Sequence, residues 1–219
     1  GLLSALIAML SCGAFAQTYP SKPVRMVVGF AAGGAPDILA RLIAQSFDNQ
    51  LGQPLVVDNR PGAASTIGAE IVAHAPGDGY TLLMATVSLA IAPSVYPKLP
   101  FRMPEDFYAI SMVASVPLIL VVHPGLQVKS VQELVRFAKE KPGRLNYASV
   151  GAGSPQHLAA ELFKLKTGTQ MTHVPYKGGA PANTALLSNE AQVYFSGMPP
   201  ALPLVQSGRL RSEEHTSEL

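Results

Sequence analysis

The sequence predicts an α/β protein of two lobes that close on each other like a clamshell. Strand-like and helix-like segments alternate through residues 24–195, which is typical of layered α/β folds with mostly parallel sheets. Two glycine-rich turns, at 29–37 and 149–157, each lie between a strand-like and a helix-like segment. Two proline-rich stretches, 97–104 and 198–203, lie where the chain can cross between lobes. Two lobes with two crossings are the pattern of a hinged binding protein.

The first lobe, 17–104, is predicted to contain three strands and two helices. The strands are 25–30, 54–58 and 80–85, and the second is rich in valine. A helix over 36–50 carries apolar residues at helical spacing and ends at Gly52, a suitable C-cap. A second helix spans about 66–73, and a tight turn at 76–79 precedes the third strand.

The second lobe, 105–207, is predicted to contain five strands and three helices. The strands are 110–114, 118–122, 146–149, 171–174 and 193–195, and the helices are 131–139, 155–166 and 179–187. Ser130 suits the N-cap of the first of these helices. The stretch 198–203 is predicted to return the chain to the first lobe, where 208–211 resume the first sheet.

Composition excludes several classes of protein. Of 219 residues, 48% are hydrophobic and 14% charged, which supports a buried core and argues against disorder. The formal charge of +2 and the lack of a basic cluster interleaved with aromatic residues argue against binding of nucleic acid.

Neither end of the sequence is predicted to belong to the folded lobes. Residues 1–16 predict part of a signal peptide, because 1–14 are apolar and uncharged and Ala14-Phe15-Ala16 is a small-x-small cleavage site. Lipidation of Cys12, the only cysteine, is the alternative to cleavage after Ala16. Residues 212–219 are polar and aperiodic, and we expect a non-native tail there, the alternative being a natural polar tail. We therefore expect the C-terminal part of the first lobe to be missing.

The two glycine-rich turns predict an anion site. In each, a proline, Pro36 or Pro155, stands at the first helical position, where its missing N–H costs nothing. The turn glycines expose backbone N–H groups beside a helix N-terminus, which attracts anions. One such turn is common in α/β proteins. Two of them, in separate halves of the chain, indicate a small anion held between two lobes.

Several ordered motifs resemble one family. They include YPSKPVR at 19–25, VVxFxxGGxxD at 27–37, NRPGA at 59–63, DGYTLL at 78–83 and HVPYKGG at 173–179. This pattern, over residues 19–211, resembles the receptors of tripartite tricarboxylate transporters, the Bug-type extracytoplasmic solute receptors of Gram-negative bacteria. The chain departs from it at Ala31-Ala32, in place of a proline-rich stretch, and at Ala64-Ser65, in place of a glycine pair.

The resemblance implies a periplasmic receptor that holds a small carboxylate in the cleft and delivers it to a two-subunit membrane permease. It also implies that main-chain groups of the two glycine-rich turns hold one carboxylate. The predicted ligand-binding residues are Phe30, Ala31, Gly33, Gly34, Asp37, Ser65, Thr86, Ser88, Ser149, Gly151, Gly153, Ser154, His157 and Tyr176. For Asp37 two roles stay open, a capping acid and a partner for bound water or a ligand amine. For His157 local packing and donation to the ligand stay open.

The sequence also bears on two alternative functions, an enzyme and a sensor. No Gly-x-Ser-x-Gly elbow, phosphate loop or metal-spaced cluster is present, and Gln156 replaces the third glycine of a dinucleotide fingerprint. We therefore expect a monomeric non-enzyme without catalytic residues, metal or cofactor. A secreted enzyme is the unfavoured alternative. A sensor that presents its ligand to a signalling partner is the other alternative, and the residues do not separate it from a transport receptor.

Overall fold

The structure is a computed structural model that describes residues 18–212. The predicted signal peptide, with Cys12, and residues 213–219 of the predicted tail lie outside the described residues. The described strands form two sheets, one of three strands and one of five, and each sheet is the centre of one lobe. The chain is therefore a two-lobed α/β protein.

The first lobe is built on a parallel sheet in the order β2-β1-β3. Its elements are β1 (Val24–Val28), α1 (Ala35–Leu51), β2 (Leu55–Asn59), α2 (Thr66–Ala73), β3 (Thr81–Met84) and α3 (Val87–Val95). The apolar side chains of β1 are fully buried at Val24, Val27 and Val28, as expected of the central strand. As predicted, Gly52 ends α1 in a left-handed conformation, with its N–H donating to Asp48 O.

The second lobe is built on a mixed sheet in the order β6-β5-β7-β4-β8. Its elements are β4 (Leu118–Val122), α4 (Val131–Glu140), β5 (Leu145–Ser149), α5 (Pro155–Thr167), β6 (Met171–Pro175), α6 (Gly179–Leu187), β7 (Val193–Gly197), α7 (Met198–Gln206) and β8 (Arg211–Ser212). Strand β5 pairs in parallel with β6 and β7, whereas β4 runs antiparallel to β7 and β8. Ser130 caps α4 as predicted, because its Oγ accepts from Glu133 N at 3.2 Å.

In the middle of the chain one predicted strand is absent and one helix forms where no element was predicted. Residues 110–114 form no strand: the segment pairs with no strand of the 18–212 region, and Ile110 and Met112 are 79% and 86% exposed. Its apolar side chains therefore cover no sheet. Helix α3 was not predicted, because its short apolar sequence shows no helical period and includes Pro93.

The second proline-rich stretch is not a crossing between lobes. It is the start of α7, whose Pro199 and Pro200 lie in the first turn, where a missing N–H is tolerated. Ala201 and Val205 of this helix are buried in the core of the second lobe. Within residues 18–212 the chain therefore passes from the first sheet to the second once, through 96–117.

Residues 208–211 also differ from the prediction that they resume the first sheet. Leu210 is 1% exposed in the core of the second lobe, and Arg211 and Ser212 pair with Val122 and Val121 of β4. The backbone of this segment pairs with the open edge of β4 in the second sheet, and not with a strand of the first sheet. Ser212 belongs to this strand and not to a separate tail.

Candidate functional site

Five turns follow parallel strands; four of them make contacts between the lobes, and the fifth, 86–88, lies at the same edge of the first sheet. They follow β1, β2 and β3 in the first lobe and β5 and β6 in the second, and each leads into a helix. Parallel strands end at the same edge of a sheet, so these turns lie side by side in each lobe. We call this region the interlobe cleft; it comprises residues 29–34, 63–65, 86–88, 149–154 and 176–179. The predicted ligand-binding residues all lie in these turns or in the first turn of the helix that follows.

The turn at 29–34 contacts the turn at 176–179 of the opposite lobe. Ala31 N donates to Lys177 O at 2.9 Å. A Cβ atom on Gly178 would lie 2.8 Å from Ala31 N, and one on Gly34 would lie 3.4 Å from Gly179 N. The approach at Gly178 is too close for a side chain, so this glycine allows the lobes to meet, whereas the approach at Gly34 is an ordinary van der Waals distance.

The turn at 149–154 contacts a different part of the first lobe. A Cβ atom on Gly151 would lie 3.2 Å from Ala64 N, and one on Gly153 would lie 3.0 Å from Val95 Cγ2. Tyr96 Oη donates to Ala152 O at 3.1 Å. The two glycine-rich turns therefore both lie at the interlobe cleft, and each contacts a different turn of the opposite lobe.

Asp37 organises the turn at 29–34. Its Oδ2 accepts from Gly33 N at 2.8 Å and from Arg41 Nε at 3.0 Å, and its Oδ1 accepts from Asn59 Nδ2 at 2.9 Å. Asn59 Nδ2 also donates to Phe30 O, so the cluster ties the turn to the end of β2. Both carboxylate oxygens of Asp37 have partners within the protein, which favours the capping role over a contact with bound water or a ligand amine.

The pKa of Asp37 reflects two opposing effects. Burial alone would raise it, since the side chain is almost fully enclosed. The hydrogen bonds from Arg41, Gly33 and Asn59 outweigh burial and hold the pKa of Asp37 below its ordinary value. The carboxylate is therefore ionised at neutral pH, and Arg41 offsets its negative charge beside the cleft.

The serine hydroxyls of the turn at 149–154 also make hydrogen bonds within the protein. Ser149 Oγ accepts from Gly151 N at 3.0 Å and lies 2.6 Å from His173 Nε2. Ser154 Oγ accepts from His157 N at 3.3 Å as the N-cap of α5 and donates to Gly151 O at 2.7 Å. Ser149 and Ser154 therefore hold the shape of the turn, and their side chains are not free to bind a ligand.

Two histidines and a tyrosine stack beneath this turn. The rings of His157 and His173 lie 4.5 Å apart, and Tyr147 stacks on His173 at 4.9 Å. His157 Nδ1 accepts from Gly153 N at 3.3 Å, so for His157 the contacts favour local packing. Burial and then His157 lower the pKa of His173, and burial and the hydrogen-bonded Glu161 carboxylate raise the pKa of the Tyr147 hydroxyl.

The turn at 63–65 has an unusual backbone. Ala63, Ala64 and Ser65 all have positive φ, at 43°, 50° and 82°, a region that residues other than glycine rarely adopt. Ser65 is fully buried, and its Oγ has no hydrogen-bond partner among the described residues. Thr86 Oγ1, just before α3, is a second such hydroxyl.

Phe30 and Tyr176 belong to the core more than to the cleft surface. Phe30, from the first lobe, is 4% exposed and packs in the core cluster of the second lobe. Tyr176 packs against the same cluster, and burial followed by the Glu190 carboxylate raises its pKa to about 12. Neither position favours the predicted ligand contact. Ser88 is 2% exposed in the first turn of α3, at the cleft edge.

Sequence reasoning missed several residues of the cleft. Ala64, Val95, Tyr96 and Gly178 make interlobe contacts but were not in the predicted set. Ala64 and Gly178 carried a local signal, since each lies in a further strand-to-helix turn. The others depend on how the lobes meet, which no local pattern encodes.

Among residues 18–212, no group of three or more His, Cys, Asp or Glu side chains is placed to hold a metal ion. No helix in that range combines the length and apolarity needed to span a bilayer.

Comparisons with known proteins define the class. Residues 39–218 match the model of the tripartite tricarboxylate transporter family receptor. Protein BugT of Bordetella pertussis is 41% identical over 199 residues, which are 90% of this chain and 61% of that protein. The chain is also similar to a solved structure of an R. palustris protein with adipate, with 37% sequence identity and a TM-score of 0.86. The match covers 89% of this chain and 65% of that protein.

A second similar structure is MatC from Rhodopseudomonas palustris with bound malate, with 30% sequence identity and a TM-score of 0.81. This match covers 89% of this chain and 67% of MatC. The chain belongs to the tripartite tricarboxylate transporter receptor family, whose members are solute-binding receptors. It spans less than two thirds of the length of the BugT relative.

Proposed function

We propose that the complete protein is a periplasmic receptor that binds a small carboxylate in the interlobe cleft and delivers it to a two-subunit membrane permease. We infer that it acts as a monomer and without catalysis. Family membership supports this function, and so do two similar structures, one with adipate and one with bound malate, both dicarboxylates.

The observation that carries the proposal is the convergence of helix N-termini. Helices α1, α2 and α3 of the first lobe and α5 and α6 of the second all begin at the cleft. Each N-terminus has a partial positive charge and N–H groups without intrahelical acceptors. Only α1 has an acidic residue in its first turn, and Arg41 pairs with it. Such a cleft favours a negatively charged ligand.

The proposed ligand-binding residues follow from these contacts. Backbone groups of Ala31, Gly33, Gly34, Gly151 and Gly153 shape the cleft, and we assign Ser65, Thr86 and Ser88 to its first-lobe wall. Asp37, Ser149, Ser154 and His157 position the turns through the hydrogen bonds described above. Phe30 and Tyr176 support the turns from the core.

Calorimetry on the complete gene product tests the binding function. The panel is succinate, malate, adipate and benzoate, and each acid is matched with its uncharged amide as a control. We expect at least one acid to bind and its amide to bind far more weakly or not at all. Binding of neutral sugars or cations only would overturn the proposal. Uptake of the labelled ligand, measured with and without the permease, tests delivery.

A further inference from the structure

Helix α5 turns three leucines toward solvent. Leu158, Leu162 and Leu165 are 43%, 55% and 78% exposed, and they follow one another at i, i+4 and i+7. This spacing places them on one side of the helix, opposite the fully buried Ala160, over about 10 Å of its length. A helix of a globular protein usually turns its apolar stripe toward the core. Exposed apolar side chains that are contiguous mark sites of interaction with a protein or a membrane.

The leucine stripe belongs to a surface that α5 shares with α4. The buried side chains of both helices pack in one core cluster with strands β4 to β7. The segments that follow the two helices meet at the edge of the sheet opposite the cleft, where Gly143 N donates to Gln170 O at 3.1 Å. We call the outer surface of residues 131–144 and 155–170 the α4–α5 face.

The α4–α5 face is basic. It carries five exposed basic side chains, namely Arg136, Lys139, Lys141, Arg144 and Lys166. None of the five forms an ion pair with another residue in 18–212. Of the acidic residues on the face, Glu161 is paired with Lys164, and Glu133 accepts from the N–H of Lys129. The positive charge of the face is therefore largely uncompensated.

The excess charge is confined to the second lobe. Residues 118–212 carry ten basic and four acidic side chains, whereas residues 18–95 carry four basic and five acidic ones. A formal charge of +6 on one lobe and −1 on the other orients the protein in the field of a negatively charged surface. Such a surface attracts the second lobe and leaves the first lobe and the interlobe cleft free.

An anionic lipid surface fits this face better than another protein does. The anchors of protein interfaces are mostly Trp, Tyr and Arg, and leucine and lysine are under-represented there. Phe137 and Phe163 of the two helices are partly buried in the core cluster and provide no such anchor. A second copy of the chain would bring two positive faces together, which repel each other. Leucines beside lysines are typical of helices that lie in a membrane interface.

We propose that the α4–α5 face is a peripheral membrane-binding surface. Its leucine stripe enters the headgroup layer of an anionic bilayer, and its basic side chains contact the lipid phosphates. This inference goes beyond the proposed carboxylate binding and does not depend on which ligand is bound. It gives the second lobe the task of holding the receptor at the membrane, while the first lobe remains free to move.

Co-sedimentation of the complete gene product with lipid vesicles tests this surface. One set of vesicles contains phosphatidylglycerol and phosphatidylcholine in equal parts, and the other contains phosphatidylcholine alone. We expect binding to the first set and far weaker binding to the second. Binding to the first set should fall steeply as salt is added, because salt screens the attraction between the basic side chains and the lipids.

Two sets of substitutions separate the apolar from the electrostatic contribution. Leu162→Gln combined with Leu165→Gln should weaken vesicle binding at least tenfold, because the apolar surface that enters the bilayer is lost. Lys139→Gln, Lys141→Gln and Lys166→Gln together should weaken it about 100-fold, since each basic residue near the lipid contributes about fivefold.

Matched control variants lie on other surfaces. Leu202→Gln removes an exposed leucine of α7, which packs in the other core cluster of the second lobe, and Lys98→Gln removes an exposed charge between the lobes. Both should bind the vesicles as the wild type does. The test variants should keep the melting temperature and the carboxylate affinity of the wild type, because their substituted side chains are exposed and lie outside the cleft.

Several results would overturn the membrane-binding surface. A wild type that does not bind the anionic vesicles, or binding that both sets of substitutions leave unchanged, would do so. Wild-type dimers in solution that the leucine substitutions abolish would assign the face to a second copy, and binding only to vesicles that contain the permease would assign it to that protein. Carboxylate binding without vesicle binding would remove this inference alone, and vesicle binding without carboxylate binding would remove only the proposed ligand.

Discussion

Gly178 provides the sharpest test of how the lobes close. Its φ of 162° is extended backbone that any residue adopts, so Gly178→Ala introduces no backbone strain. The added Cβ would lie 2.8 Å from Ala31 N and 3.1 Å from Ala31 Cβ, inside normal contact distance. The two turns must then separate, which stretches the 2.9 Å hydrogen bond from Ala31 N to Lys177 O.

The size of the effect follows from this overlap. Overpacking by one methyl group costs about 1–3 kcal/mol, and here the cost applies only to the closed form. If the ligand binds to that form, affinity should fall about 5- to 150-fold. Gly77→Ala is the matched control, because a Cβ atom on Gly77 would meet nothing within 4 Å.

Calorimetry with the tightest carboxylate of the panel measures the affinity, and small-angle X-ray scattering with and without ligand measures closure. We expect Gly178→Ala to bind weakly and to contract less on ligand addition, with the melting temperature of the ligand-free protein close to that of the wild type. Wild-type affinity and full contraction in this variant would refute the closed arrangement of these two turns.

Two further predictions concern the residues that hold the turns. Asp37→Asn should lower the free energy of unfolding by about 1–3 kcal/mol at pH 7, because Arg41 loses its charged partner, whereas exposed Asp48→Asn should change it little. Since the pKa of Asp37 is lowered in the fold, its stabilisation is present above the ordinary Asp pKa of 3.8 and is lost as pH falls through the lower folded value. Denaturant unfolding from pH 7 to 2 should therefore show a larger loss of stability in the wild type than in the Asn variant, which keeps only the losses from the other carboxylates. Ser154→Ala and Ser130→Ala should each cost about 1 kcal/mol of stability, because each removes an N-cap. Only Ser154→Ala should also weaken ligand binding, because it frees Gly151 O in the turn; equal affinity in both variants would contradict that role.

Much of the fold could be predicted from local patterns. Helix α2 and helix α6 begin and end at the predicted residues, and most other predicted elements lie within one or two residues of the observed ones. Gly52 and Ser130 act as the caps their residue types indicate. These features depend on neighbours in sequence, so the sequence alone carries them.

The wrong predictions share a physical cause. Whether 110–114 becomes a strand, and which sheet 208–211 joins, depends on where an unpaired strand edge is available. The prolines of 198–203 are compatible with a loop and with the first turn of a helix. Tertiary packing of Ala201 and Val205 decides between the two. Strand pairing and packing are long-range properties that local periodicity does not report.

For the candidate site, too, local sequence predicts some features, and others depend on three-dimensional contacts. Glycine turns before helices indicated segments that the structure brings to the interlobe contacts, because turn and helix-start chemistry is local. The sequence did not show which polar groups already have hydrogen-bond partners. Asp37, Ser149 and Ser154 all have partners, whereas the hydroxyls of Ser65 and Thr86 have none among residues 18–212. That distinction needs the three-dimensional contacts.

A crystal structure of the complete protein with its tightest carboxylate is the most direct measurement. The account predicts a carboxylate group in the interlobe cleft, within hydrogen-bonding distance of backbone N–H groups at helix N-termini from both lobes. A ligand bound outside the cleft, or held by one lobe alone with no helix N-terminus beside its negative charge, would contradict it.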